Sequence, residues 1–255
     1  MNDLSEGLTE DAFLGGRLRL RQPASGHRAG HDAMLLAAAT AAHPGDRIAD
    51  FGAGVGAAGL AVARRVAGLS LALVEIDPRL AGLAAANAKA NGLLAEVKVL
   101  DVLAGAGAFA EAGLAPDSFD GVLMNPPFHD AGRHRASPDA ERRAAHVAGP
   151  ETLDGWTGAA RRLLRSGGVL TMIWRADGLA DVLAALRRGF GSLCIQPVHG
   201  DDARPAIRIL VRAVKGGRAP LRMFSGIVLN GTSHLPHEEA DAVLRGEAVL
   251  PFAAL

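Results

Sequence analysis

Short apolar runs alternate with amphipathic stretches along most of the chain. The runs Leu69–Ile76 and Val169–Trp174 are almost continuously hydrophobic, which is typical of strands buried on both faces of a sheet. Amphipathic stretches separate such runs, and one of them begins at Pro78 and ends at Asn91-Gly92, residues typical of helix ends. This rhythm predicts an α/β fold in which a doubly wound, mostly parallel sheet is covered by helices on both faces.

The same pattern gives the extent of each predicted element. The core strands are Arg47–Phe51, Leu69–Ile76, Val97–Leu100, Phe119–Met124, Val169–Trp174, Leu193–Val198 and Ile207–Val214. The helices are Asp32–Ala42, Ala57–Ala67, Pro78–Asn91, Thr152–Leu164 and Asp177–Arg188. Before them, Phe13–Gln22 alternates leucine and arginine around Gly15-Gly16, which predicts a short hairpin. We expect three regions: a hairpin extension (1–29), a central domain (30–214) and a C-terminal extension (215–255) whose residues 228–255 have an open role.

Composition excludes several classes of protein. The 255 residues are 49% hydrophobic and 21% charged, which is enough for a core without covalent cross-links. Cys194 is the sole cysteine, so a disulfide framework and a thiolate zinc site are excluded. Met1 to Asp11 contains no basic residue and no run reaches about 18 apolar residues, so we expect a cytoplasmic protein without a membrane span. The net charge is zero, so a nucleic acid would have to be held by a local basic patch.

Polar side chains follow successive predicted strands at nearly equal spacing along the chain. They are Asp50, Glu75, Asp101 and Asn125. Because the carboxyl ends of parallel strands meet at one edge of a sheet, we expect these side chains to line one ligand site. Gly52 and Gly54, just after Asp50, permit a tight turn and a close approach of the ligand to the backbone.

Two kinds of ligand fit the glycine loop that runs from Gly52 to Gly59. A dinucleotide would place its pyrophosphate on the loop and its ribose on Glu75. Asp50 disfavours that reading because its carboxylate would repel the pyrophosphate, whereas it would attract a zwitterion that carries an ammonium and a sulfonium. A nicotinamide oxidoreductase also has no need for the turn that follows the fourth strand.

That turn, Asn125-Pro126-Pro127-Phe128, is the most specific motif in the chain. An exocyclic amine on an aromatic base is a poor nucleophile because its lone pair is delocalised into the ring. The Asn125 side-chain oxygen and the Pro126 carbonyl could accept both amine hydrogens and favour a pyramidal nitrogen, while the prolines stiffen the turn. Phe128 offers a face on which a base can stack, worth about 1–3 kcal/mol.

With these motifs the chain resembles class I S-adenosylmethionine methyltransferases of the small-domain group, which carry Asn/Asp-Pro-Pro-Tyr/Phe. Within that group it is similar to the tRNA (adenine-N6) methyltransferases, from about Leu14 to about Val228. The resemblance implies a Rossmann-like, seven-stranded sheet whose last strand is antiparallel. It implies S-adenosylmethionine as cofactor and the exocyclic amine of adenine in RNA, with tRNA as the expected substrate.

The resemblance also implies roles for individual residues. Cofactor contacts are implied for Asp32, Asp50, Gly52, Gly54, Glu75, Ile76, Asp101, Val102 and Asn125. The target amine and ring would be held by the catalytic residues Asn125, Pro126 and Phe128. His31 departs from the Thr-Asp pair of the family, and Phe128 replaces the commoner tyrosine, which keeps stacking but loses a hydroxyl.

Arginines follow directly on this turn. Arg133 and Arg135 lie in a polar loop and are predicted to contact RNA phosphates, although a solvated loop without that role fits equally well. The nearby histidines His129, His134 and His146 fit no common ligand spacing, so no metal is expected.

Other functions remain open from the sequence. The same acceptor pair would fit a protein glutamine amide or a guanine amine in ribosomal RNA. A nicotinamide-dependent oxidoreductase and a non-catalytic cofactor-binding scaffold are weaker alternatives. The sequence does not indicate the position of the methylated nucleotide or the oligomeric state.

Overall fold

A computed structural model describes residues 7–25, 28–127, 150–230 and 237–254. Its strands, numbered in chain order, are β1 (Leu8–Phe13), β2 (Leu18–Pro23), β3 (Arg47–Phe51), β4 (Ser70–Glu75), β5 (Glu96–Val99), β6 (Phe119–Met124), β7 (Leu164–Arg175), β8 (Phe190–Asp201), β9 (Arg208–Lys215), β10 (Arg222–Met223) and β11 (Ile227–Asn230). The helices are α1 (His31–Ala39), α2 (Ala57–Arg65), α3 (Pro78–Ala90), α4 (Ala106–Glu111), α5 (Pro150–Leu163), α6 (Leu179–Leu186) and α7 (Glu238–Leu244). Short 3-10 turns lie at Leu14–Gly16, Ala176–Gly178 and Pro251–Ala254.

The main sheet has the strand order β5-β4-β3-β6-β7-β9-β8. Its β5-to-β7 part is parallel, and β9 enters antiparallel between β7 and β8. This confirms the doubly wound α/β fold and the antiparallel last core strand. The predicted number of strands was wrong, because the sheet holds nine strands in the part of the chain that the structure describes. The additional β10 and β11 pair in parallel with the outer edge of β8, and they are too short to leave a period-two pattern in the sequence.

The N-terminal hairpin is confirmed and begins earlier than predicted. Strands β1 and β2 pair antiparallel, with Leu8 opposite Pro23 and Phe13 opposite Leu18. The alternation has a direct structural consequence, because Leu18 and Leu20 are fully buried while Arg19 and Arg21, which alternate with them, are exposed. The buried leucines join the same core as helices α1, α2 and α3.

Two hydrophobic clusters cover the two faces of the sheet. One face packs against α1, α2, α3 and α7, and the other packs against α4, α5 and α6. Residues from all three predicted regions share the first cluster, since Leu18 and Leu35 belong to it together with Val243 and Phe252 near the C-terminus. The boundaries at 29 and 214 therefore stay predictions, and the core does not divide at either of them.

Several helix ends differ from the pattern-based prediction. Helix α1 stops at Ala39 instead of Ala42, where Thr40 turns into extended backbone and its hydroxyl donates to the Leu36 carbonyl. Helix α4 was not predicted, since its six residues present only Phe109 to the core. No helix in the described ranges is both long and apolar enough to cross a bilayer.

Candidate functional site

A cavity of about 420 Å³ opens at the carboxyl ends of β3 and β6, next to the start of α1. Its wall combines the glycine loop after β3, the first turn of α1 and the end of β6. The predicted residues that line it are Asp32, Asp50, Gly52, Gly54 and Asn125. A volume of this size is in the range of about 300–1,000 Å³ that small-molecule and cofactor sites occupy.

Asp50 is the most buried acid of this wall, with only 2% of its surface exposed. It lies on β3 between two apolar strands, opposite Leu73 and Leu123, and its Oδ2 accepts a hydrogen bond from the Gly59 amide at 2.8 Å. Burial raises the pKa of Asp50 to about 7; the charge of Glu75 adds to this rise and the Gly59 hydrogen bond opposes it. A bound cation would favour the ionised form of this carboxyl.

Glu75, at the end of β4, ties two loops together although it does not itself line the cavity. Its Oε2 accepts from the Gly54 amide at 2.8 Å, and its Oε1 accepts from the Asp77 amide at 2.9 Å. A carboxylate has about four lone-pair sites, so each oxygen can still accept a hydrogen bond from a ligand hydroxyl. The residue thus stabilises the glycine loop and keeps acceptor capacity beside the cavity.

Gly52 is required for two reasons, one of which involves a residue from the other face of the sheet. Its φ is +67° and that of Gly54 is +57°, values that residues with side chains rarely adopt. A Cβ at Gly52 would also lie 2.6 Å from the Trp156 ring of α5. The group that packs closely against Gly52 is therefore the indole ring of Trp156, and this contact supports the glycine loop.

Opposite charges border the cavity near α1. Arg28 and Asp32 both line it. Arg28 donates to Asp11 Oδ2 of the hairpin at 2.6 Å, and Asp32 Oδ2 accepts from Arg208 Nε of β9 at 3.0 Å. With Asp50, the wall presents one cation and two acids, which complements a ligand that carries a carboxylate, an ammonium and a sulfonium.

The turn after β6 carries an unusual acceptor. Asn125 lines the cavity, and its Oδ1 is buried without a hydrogen-bond partner in the described part of the chain. The next residue, Pro126, is buried, and its ring restricts the backbone of the turn. A buried acceptor without a partner is costly, by about 1–3 kcal/mol, and most buried polar atoms in proteins have a partner. The atom is thus poised to accept a hydrogen from a ligand.

Other predicted residues have different surroundings. Ile76 is 61% exposed, Val102 is buried, and Asp101 accepts from the Leu103 amide at 2.8 Å; none of the three lines the cavity. Phe128, Arg133 and Arg135 lie outside the described residues, as do His129, His134 and His146.

Sequence reasoning assigned no function to some residues that line the cavity. They include Arg28, Ala29, Leu36, Ala57, Ala58 and Leu80. Arg28 had a detectable signal, since it is a basic residue four positions before Asp32 in a glycine-containing segment. The apolar lining residues had none, because they read as ordinary core positions.

The chain is similar to known proteins in sequence and in structure. Residues 28–195 match a family model described as "Methyltransferase small domain". The chain is 29% identical over 208 residues to a tRNA1(Val) (adenine(37)-N6)-methyltransferase of Dickeya chrysanthemi, covering 81% of this chain and 79% of the relative. It is 30% identical over 178 residues to the enzyme of that name from Porphyromonas gingivalis, covering 68% of both chains.

A solved structure is also similar over most of the fold. It is described as a predicted O-methyltransferase, protein Atu636 from Agrobacterium tumefaciens. It superposes with a TM-score of 0.71 at 34% identity, covering 86% of this chain and 98% of that one. The similarity therefore includes nearly all of that protein.

Proposed function

The chain belongs to the methyltransferase small-domain family, and its cofactor is S-adenosylmethionine; from this premise we propose that its acceptor is the exocyclic amine of an adenine in RNA, with tRNA as the substrate. The observation that carries the proposal is the Asn125 Oδ1 on the wall of the cavity, which is buried and has no hydrogen-bond partner among the described residues. A tRNA substrate also implies a cytoplasmic enzyme.

The described residues fit the cofactor by charge and by shape. Asp50 and Asp32 would face its cationic ammonium and sulfonium, and Arg28 would face its carboxylate. Glu75 would accept from the ribose hydroxyls with the lone pairs that Gly54 and Asp77 leave unused. Ile76, exposed at the end of β4, and Asp101-Val102 after β5 would contact the adenine ring.

The residues of the turn after β6 would position the target amine for methyl transfer. When bound, the cofactor supplies a methyl group already activated by the sulfonium, so no general acid or metal is needed to create a leaving group. Asn125 Oδ1 and the Pro126 carbonyl would accept the two hydrogens of the target amine and direct its lone pair towards the cavity. Because the turn is stiffened by two prolines, little ordering is needed at the moment of reaction. Phe128 would stack on the base.

An unpaired base in structured RNA suits this site best. Both tRNA methyltransferases reported above are named for the N6 position of adenine 37, which supports the choice of base. A loop base needs little unpairing, whereas extruding a duplex base costs a few kcal/mol. Arg133 and Arg135 would then contact the neighbouring phosphates.

The test is incorporation of methyl label from S-adenosylmethionine by the purified protein, with tRNA and with total cell protein as separate acceptors. We expect N6-methyladenosine in digested tRNA by nucleoside mass spectrometry. Asn125→Ala should lower kcat by about two to three orders of magnitude, typical of removing one preorganised hydrogen-bond partner in an active site. Cofactor affinity should change little, because the proposed partner of Oδ1 is the acceptor amine.

Two results would contradict the proposal. Label in a protein glutamine and none in RNA would reassign the acceptor to an amide. Equal losses of cofactor affinity and of kcat in Asn125→Ala would mean that Asn125 only binds the cofactor.

A further inference from the structure

The outward face of the hairpin carries a row of arginines. In β2 the side chains of Leu18, Leu20 and Gln22 are buried, and those of Arg19 and Arg21 point outward with 68% and 66% of their surface exposed. Alternate residues of a strand lie about 6.8 Å apart on the same face. The hairpin therefore presents two guanidinium groups at a regular spacing.

This row is held on a rigid support. The backbone N–H and C=O of Arg21 both bond to the Asn87 side chain of α3, at 2.8 and 3.0 Å. Those of Arg19 bond in the same way to Asn91, at 3.0 and 2.7 Å. The two asparagines thus replace a neighbouring strand, and they engage only the backbone, so the arginine side chains stay available.

The row leads to the rim of the cofactor cavity. Gln22, next to Arg21, accepts from the Ala29 amide at 2.8 Å and donates to Asp11 at 2.7 Å. Asp11, which lies opposite the buried Leu20, accepts from Arg28 at the inward face of the hairpin, and Arg28 lines the cavity together with Ala29. At the other end, the exposed Arg64 donates to the Asn91 carbonyl at 2.6 Å, which places it beside Arg19. We name Arg28, Arg21, Arg19 and Arg64 the arginine stripe.

The stripe carries more positive charge than its neighbouring acids neutralise. Glu10 faces both Arg19 and Arg21, at 3.4 and 3.8 Å, and Asp11 faces Arg28 at 2.6 Å. Among the described residues, four cations thus meet two carboxylates, in a chain whose net charge is zero. Exposed pairs of this kind contribute only about 0–1 kcal/mol, so a polyanion can displace Glu10 at little cost.

We propose that the arginine stripe binds the phosphate backbone of the RNA substrate and guides it towards the cofactor cavity. The inference rests on the proposed function, since it takes RNA as the acceptor. Regularly spaced cations on a rigid strand suit repeating phosphates, and contacts of this kind position a nucleic acid without reading its sequence. The acceptor base would enter the cavity beside Arg28 while the adjoining backbone crosses Arg21 and Arg19.

The experiment compares two charge-reversed variants of the full-length protein. Arg19→Glu/Arg21→Glu alters the stripe, and Arg187→Glu/Arg188→Glu makes the same change of charge at two exposed arginines after α6. Helix α6 starts near the carboxyl end of β7 and runs back across the sheet, so the control lies towards the edge opposite the cavity. Affinity for tRNA is measured by fluorescence anisotropy at several salt concentrations, and cofactor affinity by calorimetry.

We expect the stripe variant to bind tRNA about 10- to 100-fold more weakly at low salt and with a weaker salt dependence, because each lost phosphate contact lowers the slope of log K against log salt by about 0.7–0.9. Its KM for tRNA should rise while kcat and cofactor affinity stay within about twofold of the wild type. The control should retain wild-type binding. If charge reversal lowers the melting temperature of the stripe variant, the comparison is repeated with Arg19→Ala/Arg21→Ala, for which we expect a smaller loss of tRNA affinity.

The outcomes separate this inference from the proposed function. Wild-type tRNA affinity in the stripe variant, or an equal loss in the control, overturns the inference while methylation of RNA by the wild type still stands. Stripe-dependent binding of polyglutamate without binding of tRNA overturns it in favour of an acidic protein partner. A wild-type enzyme that methylates no RNA overturns both.

Discussion

The wall of the cofactor cavity and the arginine stripe both use charge, but they hold it in opposite ways. Asp50 in the wall is only 2% exposed, and Glu75 behind the wall is only 6% exposed. Backbone amides donate hydrogen bonds to the carboxylate oxygens of both residues. Arg19 and Arg21 in the stripe are about two-thirds exposed, and the acid that faces both of them in the described part of the chain is Glu10. The fold thus fixes the carboxylates of the wall in place, whereas in the stripe it fixes the backbone of Arg19 and Arg21 and leaves their side chains exposed.

This difference has an energetic consequence. In a poorly solvated site, the interaction free energy between two charges reaches several kcal/mol and changes little with salt. Between exposed charges it is about a few tenths of a kcal/mol, and 0.1 M salt screens it beyond about 10 Å. We therefore expect substitutions in the wall to change stability and cofactor affinity strongly. Substitutions of Arg19 and Arg21, the stripe residues that do not line the cavity, should change only the binding of a polyanion, and mostly at low salt.

The largest effect should come from Gly52. Gly52→Ala places a methyl group at a φ of +67° and 2.6 Å from the Trp156 ring, so we expect a loss of about 2–5 kcal/mol in the free energy of unfolding, measured by urea denaturation. Gly54→Ala is the matched control, since its φ is +57° but, apart from its chain neighbours, no atom of the described residues lies within 4 Å of the added Cβ. It should lose only the backbone share, about 1–2 kcal/mol. Equal losses would mean that Trp156 does not constrain the loop.

Asp50→Asn should raise stability in a pH-dependent way. An unfolded aspartate has a pKa near about 3.9, whereas burial raises the folded pKa of Asp50 to about 7. The folded state therefore binds this proton more tightly, and the contribution of Asp50 to stability declines from about pH 4 to about pH 7 and is constant above. Asparagine removes this decline and can still accept from Gly59.

The measurement is urea denaturation of both proteins, without cofactor, between pH 4 and pH 8. The variant's advantage in free energy of unfolding should be near zero at pH 4 and grow to about 1–4 kcal/mol by pH 7.5. The same variant should bind S-adenosylmethionine more weakly, because the site has lost a negative charge. A difference in stability that is the same at every pH would contradict the raised pKa.

A smaller effect is expected from Glu75→Gln. The amide can accept from only one of the Gly54 and Asp77 amides, and its NH2 group faces the other donor. The unpaired buried donor should lower the free energy of unfolding by about 1–3 kcal/mol, and cofactor affinity should fall about ten- to hundredfold because the ribose hydroxyls lose a charged acceptor. Glu96→Gln on β5 is the control, because that side chain is 72% exposed and pairs only with Lys98 in the described chain. Unchanged affinity in Glu75→Gln would remove Glu75 from the site.

The smallest effect should be that of a single arginine of the stripe. Arg21→Ala should weaken tRNA binding about two- to fivefold at low salt and hardly at all above physiological salt. Arg188→Ala serves as the control, and anisotropy titrations at three salt concentrations provide the measurement. A loss that persists at high salt would place Arg21 among the buried, wall-like contacts.

Much of this molecule could be predicted from local pattern. Strands β3 and β6 have the predicted bounds, because each is buried on both faces and ends at a polar or proline-bearing loop. Strands β10 and β11 could not be predicted, since only the exposed edge of β8 gives their few residues a partner. Helix α7 likewise depends on packing against α1, which lies about 200 residues earlier in the chain.

The candidate site divides in the same way. The strand-end rule predicted that Asp50 and Asn125 share one cavity, because neighbouring parallel strands end at the same edge. It did not predict Arg28 as a lining residue, nor the contact of Trp156 with Gly52, because a long-range neighbour leaves no periodic signal in the chain.

By itself the sequence determined the class of fold, the edge of the sheet at which the cavity opens, and the Asn-Pro-Pro turn at Asn125, since each depends on periodicity or on the chemistry of adjacent residues. The tertiary structure alone decided which acids are buried, which amides hold them, and which arginines remain exposed. The physical reason is that burial and hydrogen-bond partners depend on residues far apart in the chain. The raised pKa of Asp50 depends on burial between β4 and β6, and the exposed row in β2 depends on Asn87 of α3 and on Asn91 just after that helix.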